Sequence, residues 1–410
     1  MSLTIHRSAL SRRESRATAL AGTRAGDVGA LEPAPPGPWT VTHDFAFVDG
    51  GAELVTRALA DDVLGGAPVT VLAGGDPVTR SLSTGEVTSL LARVPVTERS
   101  HRLLTPLYPV VARVAPVIEG NVIASSYAFS HHLRCTGAKV VYCHTPLRQV
   151  WSGRAMYEEH GSWAQRRALA ALAPALRRAD VRAAQQADLY LATSAAVRER
   201  IERCYGRTDV PVIPPPVDTS VFRPDGPTEP AAEGSLLWVG RVVEPYKRLE
   251  LVIEAVRGTG RRLVVVGDGR DRERLERSAP AEVVFLGWQG RSALARLYRA
   301  AQAVVFPSED DFGLVPVEAM ACGTPCVALR RGGAVDTVRE GLTGTFFDEP
   351  ALEQLREAID RCADRTWDPA AVAAWATTFG RQRFVERVRG AIGHLAPVST
   401  PTAGVAPLGL

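Results

Sequence analysis

Val304-Val-Phe306-Pro307-Ser-Glu309-Asp310-Asp311-Phe312-Gly313-Leu314-Val315-Pro316-Val-Glu318-Ala-Met-Ala-Cys322-Gly323-Thr-Pro325-Cys326 reads as a short apolar strand, an acidic turn and a helix. Pro316 suits a first helical turn, where its missing N–H goes unused, and Gly323 suits the residue just past the end, so the helix begins near Gly313. The amides of Gly313, Leu314 and Val315 then lack helical partners at the positive end of a helix dipole, and such a terminus binds anions. Asp310 and Glu318 flank the turn, and carboxylates accept hydrogen bonds from sugar or ribose hydroxyls. That pairing suits a sugar nucleotide. Alone, the pattern also fits a surface turn ahead of a core helix, so other segments must decide.

Outward from this unit, Leu236–Val239, Leu263–Val266, Val283–Leu286, Ala303–Phe306 and Pro325–Leu329 are short apolar runs, each followed by a helix-like segment. An earlier series, Val69–Ala73, Val122–Ala124, Val140–Cys143 and Leu189–Ala192, alternates in the same way. Strands alternating with helices predict parallel sheets covered by helices, hence an α/β chain of two doubly wound, Rossmann-like domains. Pro214-Pro-Pro-Val-Asp218 and Phe222-Arg-Pro-Asp-Gly-Pro227 stop either element from continuing and mark the junction. The expected organisation is a first domain over 39–222, a linker over 223–235 and a second domain over 236–378. A closing helix at 379–396 is expected to pack back on the first domain. Segments 1–38 and 397–410 are expected to be disordered tails, the first rich in Arg, Ala, Ser and Gly without apolar periodicity. Two such domains facing each other leave a deep cleft at the carboxyl ends of their strands.

The 410 residues are 46% hydrophobic and 23% charged, which is ordinary for a water-soluble chain of this size. A net charge of +3 is too small to argue for nucleic acid, and no apolar run approaches a membrane span. No secretory-signal core is visible, so a cytoplasmic location is expected. The six cysteines show no Cys-x-x-Cys pair and no zinc-like spacing, and read as reduced core residues. Of 48 basic residues only Lys139 and Lys247 are lysines, so each lysine is a compositional surprise.

The acidic turn resembles the donor motif of the retaining glycosyltransferases of family 4, in which two glutamates eight positions apart enclose a Phe-Gly-Leu or similar turn. Here the first acid is Asp310; Glu309, one residue away, is its rival. The resemblance implies the GT-B fold, with Phe312 to Val315 and Glu318 against the donor and Asp310 at the sugar. Arg241 and Lys247 follow the strand ending in Val239-Gly240, and the family has an arginine and a lysine at this spacing. Two fixed cations there can grip a diphosphate and offset the charge that grows on it as the glycosidic bond breaks. A solvated basic turn is the plain alternative. Gly267-Asp-Gly269 lacks the third glycine of a dinucleotide fingerprint, Arg272 standing in its place, and is better read as a tight turn beside the donor. Gly332-Gly333 reads as a supporting loop. In the first domain, Gly50-Gly51 resembles the family's amino-terminal glycine loop, and His144, at the end of Val140–Cys143, the histidine near the transferred sugar; a satisfied core histidine is the alternative.

The joint occurrence of these pieces over most of Thr40–Arg389 implies a hexosyltransferase, catalytic through Asp310, Glu318 and His144. His144-Thr-Pro146, Pro214-Pro-Pro-Val-Asp218 and the form of the acidic turn are most like the mannosyltransferase branch, which favours GDP-mannose as donor. No Asp-x-Asp motif occurs, so no metal and no other cofactor is expected. A sugar-nucleotide epimerase, a phosphorylase and a donor-binding sensor that lost activity with Asp310 are the rivals. The acceptor is not legible, because acceptor contacts lie on variable loops. The arginine-rich helical run 163–187 is either a solvated face or a peripheral membrane contact.

Overall fold

The computed structural model describes residues 37–75, 78–91, 104, 107–151, 163–393 and 395; most of both expected tails lies outside them. The described residues contain two six-stranded sheets, parallel throughout. The first is built from β1 (Trp39–Ala46), β2 (Val69–Gly74), β3 (Val87–Ser89), β4 (Asn121–Ser126), β5 (Lys139–Cys143) and β6 (Leu189–Ala192), in the order β3-β2-β1-β4-β5-β6. The second takes β7 (Leu236–Val239), β8 (Leu263–Val266), β9 (Val283–Gly287), β10 (Ala303–Phe306), β11 (Cys326–Leu329) and β12 (Gly344–Phe347) in the order β12-β11-β10-β7-β8-β9. These orders are equivalent: in each sheet the first and fourth strands in sequence lie side by side, which is the doubly wound arrangement.

Strands covered on both faces must be apolar throughout, and β8 and β10, Leu-Val-Val-Val and Ala-Val-Val-Phe, are buried at every position. That continuity is what made them legible. β3 and β12 escaped the reading because Val-Thr-Ser and Gly-Thr-Phe-Phe are not unbroken apolar runs. β1 carries polar residues: it runs through His43 and Asp44 to Ala46, just ahead of the Gly50-Gly51 loop. Both are completely buried, and both are hydrogen-bonded.

Strand order fixes where a ligand can go. Between β1 and β4, and again between β7 and β10, the connections leave in opposite directions and open a crevice at the carboxyl ends. The Gly50-Gly51 loop lies beyond β1; Arg241 to Lys247 and the acidic turn follow β7 and β10. The chain joins its two halves at a second place, where Val217 N–H donates to Phe379 C=O at 2.9 Å. Helix Arg381–Ile392 then buries Phe384, Val385, Val388 and Ile392 in the core of the first domain with Val41, Leu59 and Tyr142. Arg389 ties it down by donating to the carbonyls of Val63 and Asp62, both at 3.0 Å.

Candidate functional site

Helix Leu314–Ala321 starts at Gly313, whose φ of 85° falls in the left-handed region. A Cβ there would also lie 3.1 Å from the Phe306 ring, so glycine is required twice over. With Pro316 in the first turn, the amides of Gly313, Leu314 and Val315 donate to no acceptor among the described residues. Phe312 points the other way: it is buried, edge-on to Phe379 at 5.9 Å, so only its backbone faces the turn. Gly332-Gly333 braces the turn instead of flexing beside it. Gly333 N–H donates to Asp310 C=O at 2.9 Å, and Cβ atoms on Gly332 and Gly333 would lie 2.3 Å from that oxygen and 2.2 Å from Phe312 Cα.

Lys247, the lysine singled out by composition, reaches this turn. Its Nζ donates to Asp310 Oδ2 at 2.5 Å and lies 5.1 Å from the Tyr246 ring centre and 6.0 Å from that of Phe306. The partner Oδ1 of Asp310 is shut off from solvent and has no hydrogen-bond partner among the described residues. Burial pushes the Asp310 pKa up, but the Lys247 ammonium, with Arg148 and the Tyr246 hydroxyl, brings it below the usual carboxylate value. Asp310 is therefore ionised, with one enclosed oxygen left unsatisfied by the described residues. Glu309 is 45% exposed and approaches Arg200 only at 3.9 Å, so it sits on the rim. Arg248 is structural: it donates to Pro307 C=O at 2.9 Å and holds the end of β10 against the Lys247 loop.

Arg241 is exposed and makes no ion pair among the described residues. Its loop is set by Gly267, where φ is +132° and a Cβ would lie 1.8 Å from Gly240 C=O. Gly267 thus supports the cationic loop through backbone packing. Gly267→Ala is expected to cost about 3 kcal/mol or more, since the strained φ and the clash add. Chemical denaturation checks this; a loss below about 1 kcal/mol would show that the loops can part.

Glu318, one helical turn inside the helix, accepts a hydrogen bond from the buried Tyr298 hydroxyl at 3.2 Å. Burial raises its pKa to about 7, although Tyr298 and Arg291 favour the charged form. A carboxyl pKa raised in the folded state stabilises fully below the unfolded value near 4.5, and that stability is lost as pH rises through about 7. Glu318→Gln is accordingly expected to be nearly neutral at pH 5 and to gain about 2 kcal/mol over the parent at pH 8. Urea midpoints at the two pH values measure it, and a gap that does not widen with pH would contradict it.

Across the cleft, Gly51 meets the helix start: a Cβ on it would lie 2.7 Å from Leu314 Cδ1. The Gly50 amide is already committed, donating to Glu53 Oε2 at 3.0 Å, so it is not free for a phosphate. Glu53 Oε1 lies 3.4 Å from His43 Nε2; burial works against a charged His43, but Glu53 outweighs it and the pKa rises. This pair anchors the glycine loop to β1. Nothing in the sequence pairs His43 with Glu53, ten residues apart on a strand and a helix. His144 packs edge-on against Tyr142 and Tyr127 and pairs through Nε2 with Ser125 Oγ at 2.9 Å. Burial, aided by His43, pushes its pKa down to about 3, so at neutral pH it is an uncharged donor or acceptor. Among the described residues no hydrogen bond or ion pair joins His144 to the second domain.

His131 and His132 converge on Asp180 from the long helix Trp163–Gln185, at 3.1 and 3.2 Å. Nothing in sequence links residues 48 apart on different elements. The three ligand atoms lie within 4.8 Å of one another, a spacing that could hold a metal, but Trp151 Nε1 and Tyr205 OH also donate to Asp180, at 2.7 and 2.9 Å. Burial would raise the Asp180 pKa, yet the two histidines hold it well below the usual range. On the same helix Arg177 donates to Val150 C=O at 2.7 Å and lies 5.1 Å from the Trp151 ring centre, whereas Arg178 and Arg182 are exposed. No helix among the described residues is long and apolar enough to cross a membrane.

Comparison with known proteins matches residues 50–221 to the model of "Glycosyltransferase Family 4" and residues 233–365 to that of "Glycosyl transferases group 1". The D-inositol 3-phosphate glycosyltransferases of Mycobacterium tuberculosis and Mycobacterium bovis are 38% identical over 170 residues, 37% of this chain and 35% of theirs. The match thus spans about a third of these relatives. Among solved structures, the Anabaena protein HepE in complex with UDP and glucose superposes with a TM-score of 0.63 at 21% identity, covering 87% of this chain and 99% of that one. Sucrose-phosphate synthase from Thermosynechococcus elongatus gives 0.65 at 20% identity over 86% of this chain and 98% of that one.

Proposed function

Because the chain belongs to glycosyltransferase family 4 and has the GT-B fold, we propose that it transfers a hexose from a nucleotide sugar to an acceptor hydroxyl, with retention of anomeric configuration. The observation that carries this is the acidic turn: three helix amides without partners among the described residues, beside an ionised Asp310 whose Oδ1 likewise has none there. An unsatisfied buried carboxylate oxygen is costly, and a sugar hydroxyl would satisfy it. In this reading the diphosphate rests on the Gly313 to Val315 amides with Arg241 and Lys247, and Glu318 holds the ribose. Lys247 lies between the phosphate and Asp310, and side-chain cations do the charge neutralisation that a divalent ion performs elsewhere. The acceptor hydroxyl attacks from the face the diphosphate leaves. A leaving phosphate oxygen takes its proton, so the C–O bond broken and the C–O bond formed lie on one face of the sugar.

GDP-mannose is the donor favoured by the sequence. UDP in a structural neighbour supports a uridine diphosphate hexose as the second reading. The acceptor class remains open, and the exposed Arg178 and Arg182 keep peripheral membrane contact part of the reading for a lipid-linked acceptor. The test is thermal stabilisation by a panel of nucleotide sugars, where a ligand at a hundred times its dissociation constant adds about 2.7 kcal/mol. Stabilisation by at least one member, lost in Glu318→Gln, is expected; none across the panel would overturn the reading.

A further inference from the structure

We propose that Asp311, gripped by Arg148 and Arg200 from the opposite domain, is the latch that closes the cleft, and that through it the first domain positions Asp310 at the sugar. This rests on the glycosyltransferase reading for the role of Asp310, but not for the latch. Each oxygen of the Asp311 carboxylate takes a separate arginine: Oδ2 pairs with Arg148, from the loop after β5, and Oδ1 with Arg200, from helix Ala195–Tyr205. The side chains are 26%, 12% and 19% exposed for Arg148, Arg200 and Asp311, so solvent screens them less than an open surface pair.

The same contact is made twice more through the backbone. Ser194, which caps helix Ala195–Tyr205 by accepting from Val197 N–H at 3.1 Å, donates its hydroxyl to Asp311 C=O at 2.5 Å. The first amide of that helix, Ala195, donates to Asp336 Oδ2 at 2.6 Å. The start of that helix thus docks on the Asp336 carboxylate and the Asp311 backbone carbonyl of the other domain, the favourable sense of the dipole. The latch reaches the site through Arg148, whose Nη1 donates to Tyr246 OH at 3.0 Å, and Tyr246 and Lys247 both engage Asp310. Three successive acids therefore do three things: Glu309 lines the rim, Asp310 faces Lys247 and Asp311 spans the domains.

Asp311→Asn keeps the size of the side chain but removes the charge both arginines need, whereas Asp311→Glu keeps the charge. Small-angle X-ray scattering on the ligand-free protein reads the latch without any donor. Asp311→Asn and Arg200→Gln should each enlarge the radius of gyration, the double variant should add nothing, and Asp311→Glu should return toward the parent. A radius unchanged in Asp311→Asn would overturn the latch. Positioning is read from the slow hydrolysis of GDP-mannose or UDP-glucose: kcat should fall about tenfold in Asp311→Asn with KM within about twofold, and Asp311→Glu should recover kcat. An open Asp311→Asn with unaltered kcat would overturn the positioning role. If the parent hydrolyses no member of the nucleotide-sugar panel, the glycosyltransferase reading fails, while the scattering still decides the latch.

Discussion

Lys247→Ala is expected to lower donor turnover by roughly a hundred- to a thousandfold, a loss of about 3 kcal/mol in transition-state stabilisation. The ammonium is held 2.5 Å from Asp310 Oδ2 in the cleft between the Tyr246 and Phe306 rings, so it cannot be replaced by solvent at the same position. Charge on the departing diphosphate grows during bond cleavage, which is why kcat should fall more than donor affinity. Stability should also drop, by about 1 kcal/mol, because Asp310 loses its counter-ion while 21% exposed. The two effects separate in the double variant. Lys247→Ala with Asp310→Asn should regain the melting temperature and none of the turnover. Recovery of turnover would mean that Lys247 serves only to neutralise Asp310.

Asp310→Asn should cut turnover about a hundredfold and leave nucleoside diphosphate affinity within about threefold, since Glu318 and the helix amides hold that part of the donor. Glu309→Gln, on the exposed rim, should stay within about twofold. Lengthening the side chain is a separate question, because the turn is braced at Asp310 C=O by Gly333 and Asp310 is already seated on Lys247. Asp310→Glu is therefore expected to lose about tenfold, as a site built around the shorter acid would. Steady-state kinetics on the three variants decide the register: a larger loss in Glu309→Gln than in Asp310→Asn would move the sugar contact to Glu309.

What was legible in the sequence follows physical cause. Strands buried on both faces announce themselves by unbroken apolar runs, so Leu263–Val266 and Ala303–Phe306 are found to the residue. Gly313 and Pro316 are local signals with local causes, and they place the helix start within one residue. Contacts that depend on tertiary pairing were not legible. Asp311 meets Arg148 and Arg200 across 163 and 111 positions, and the Asp180 cluster draws together a turn, a loop and two helices. The glycine pairs fall between these extremes: their presence was visible, but not that Gly267 accommodates the Gly240 carbonyl and Gly333 the Phe312 backbone. Nor was it legible that the Phe312 ring packs on Phe379, 67 residues later, leaving its backbone at the turn.

The central claim is cleavage of a nucleotide sugar on the face its diphosphate occupies. The most direct measurement follows the parent protein by proton NMR with GDP-mannose, and in parallel with UDP-glucose, water serving as the slow acceptor. The account predicts that one donor releases its nucleoside diphosphate together with a free hexose whose first-formed anomer is α, the configuration of the donor, and that Lys247→Ala abolishes both signals. Initial release of the β anomer, or release that persists undiminished in Lys247→Ala, would contradict it.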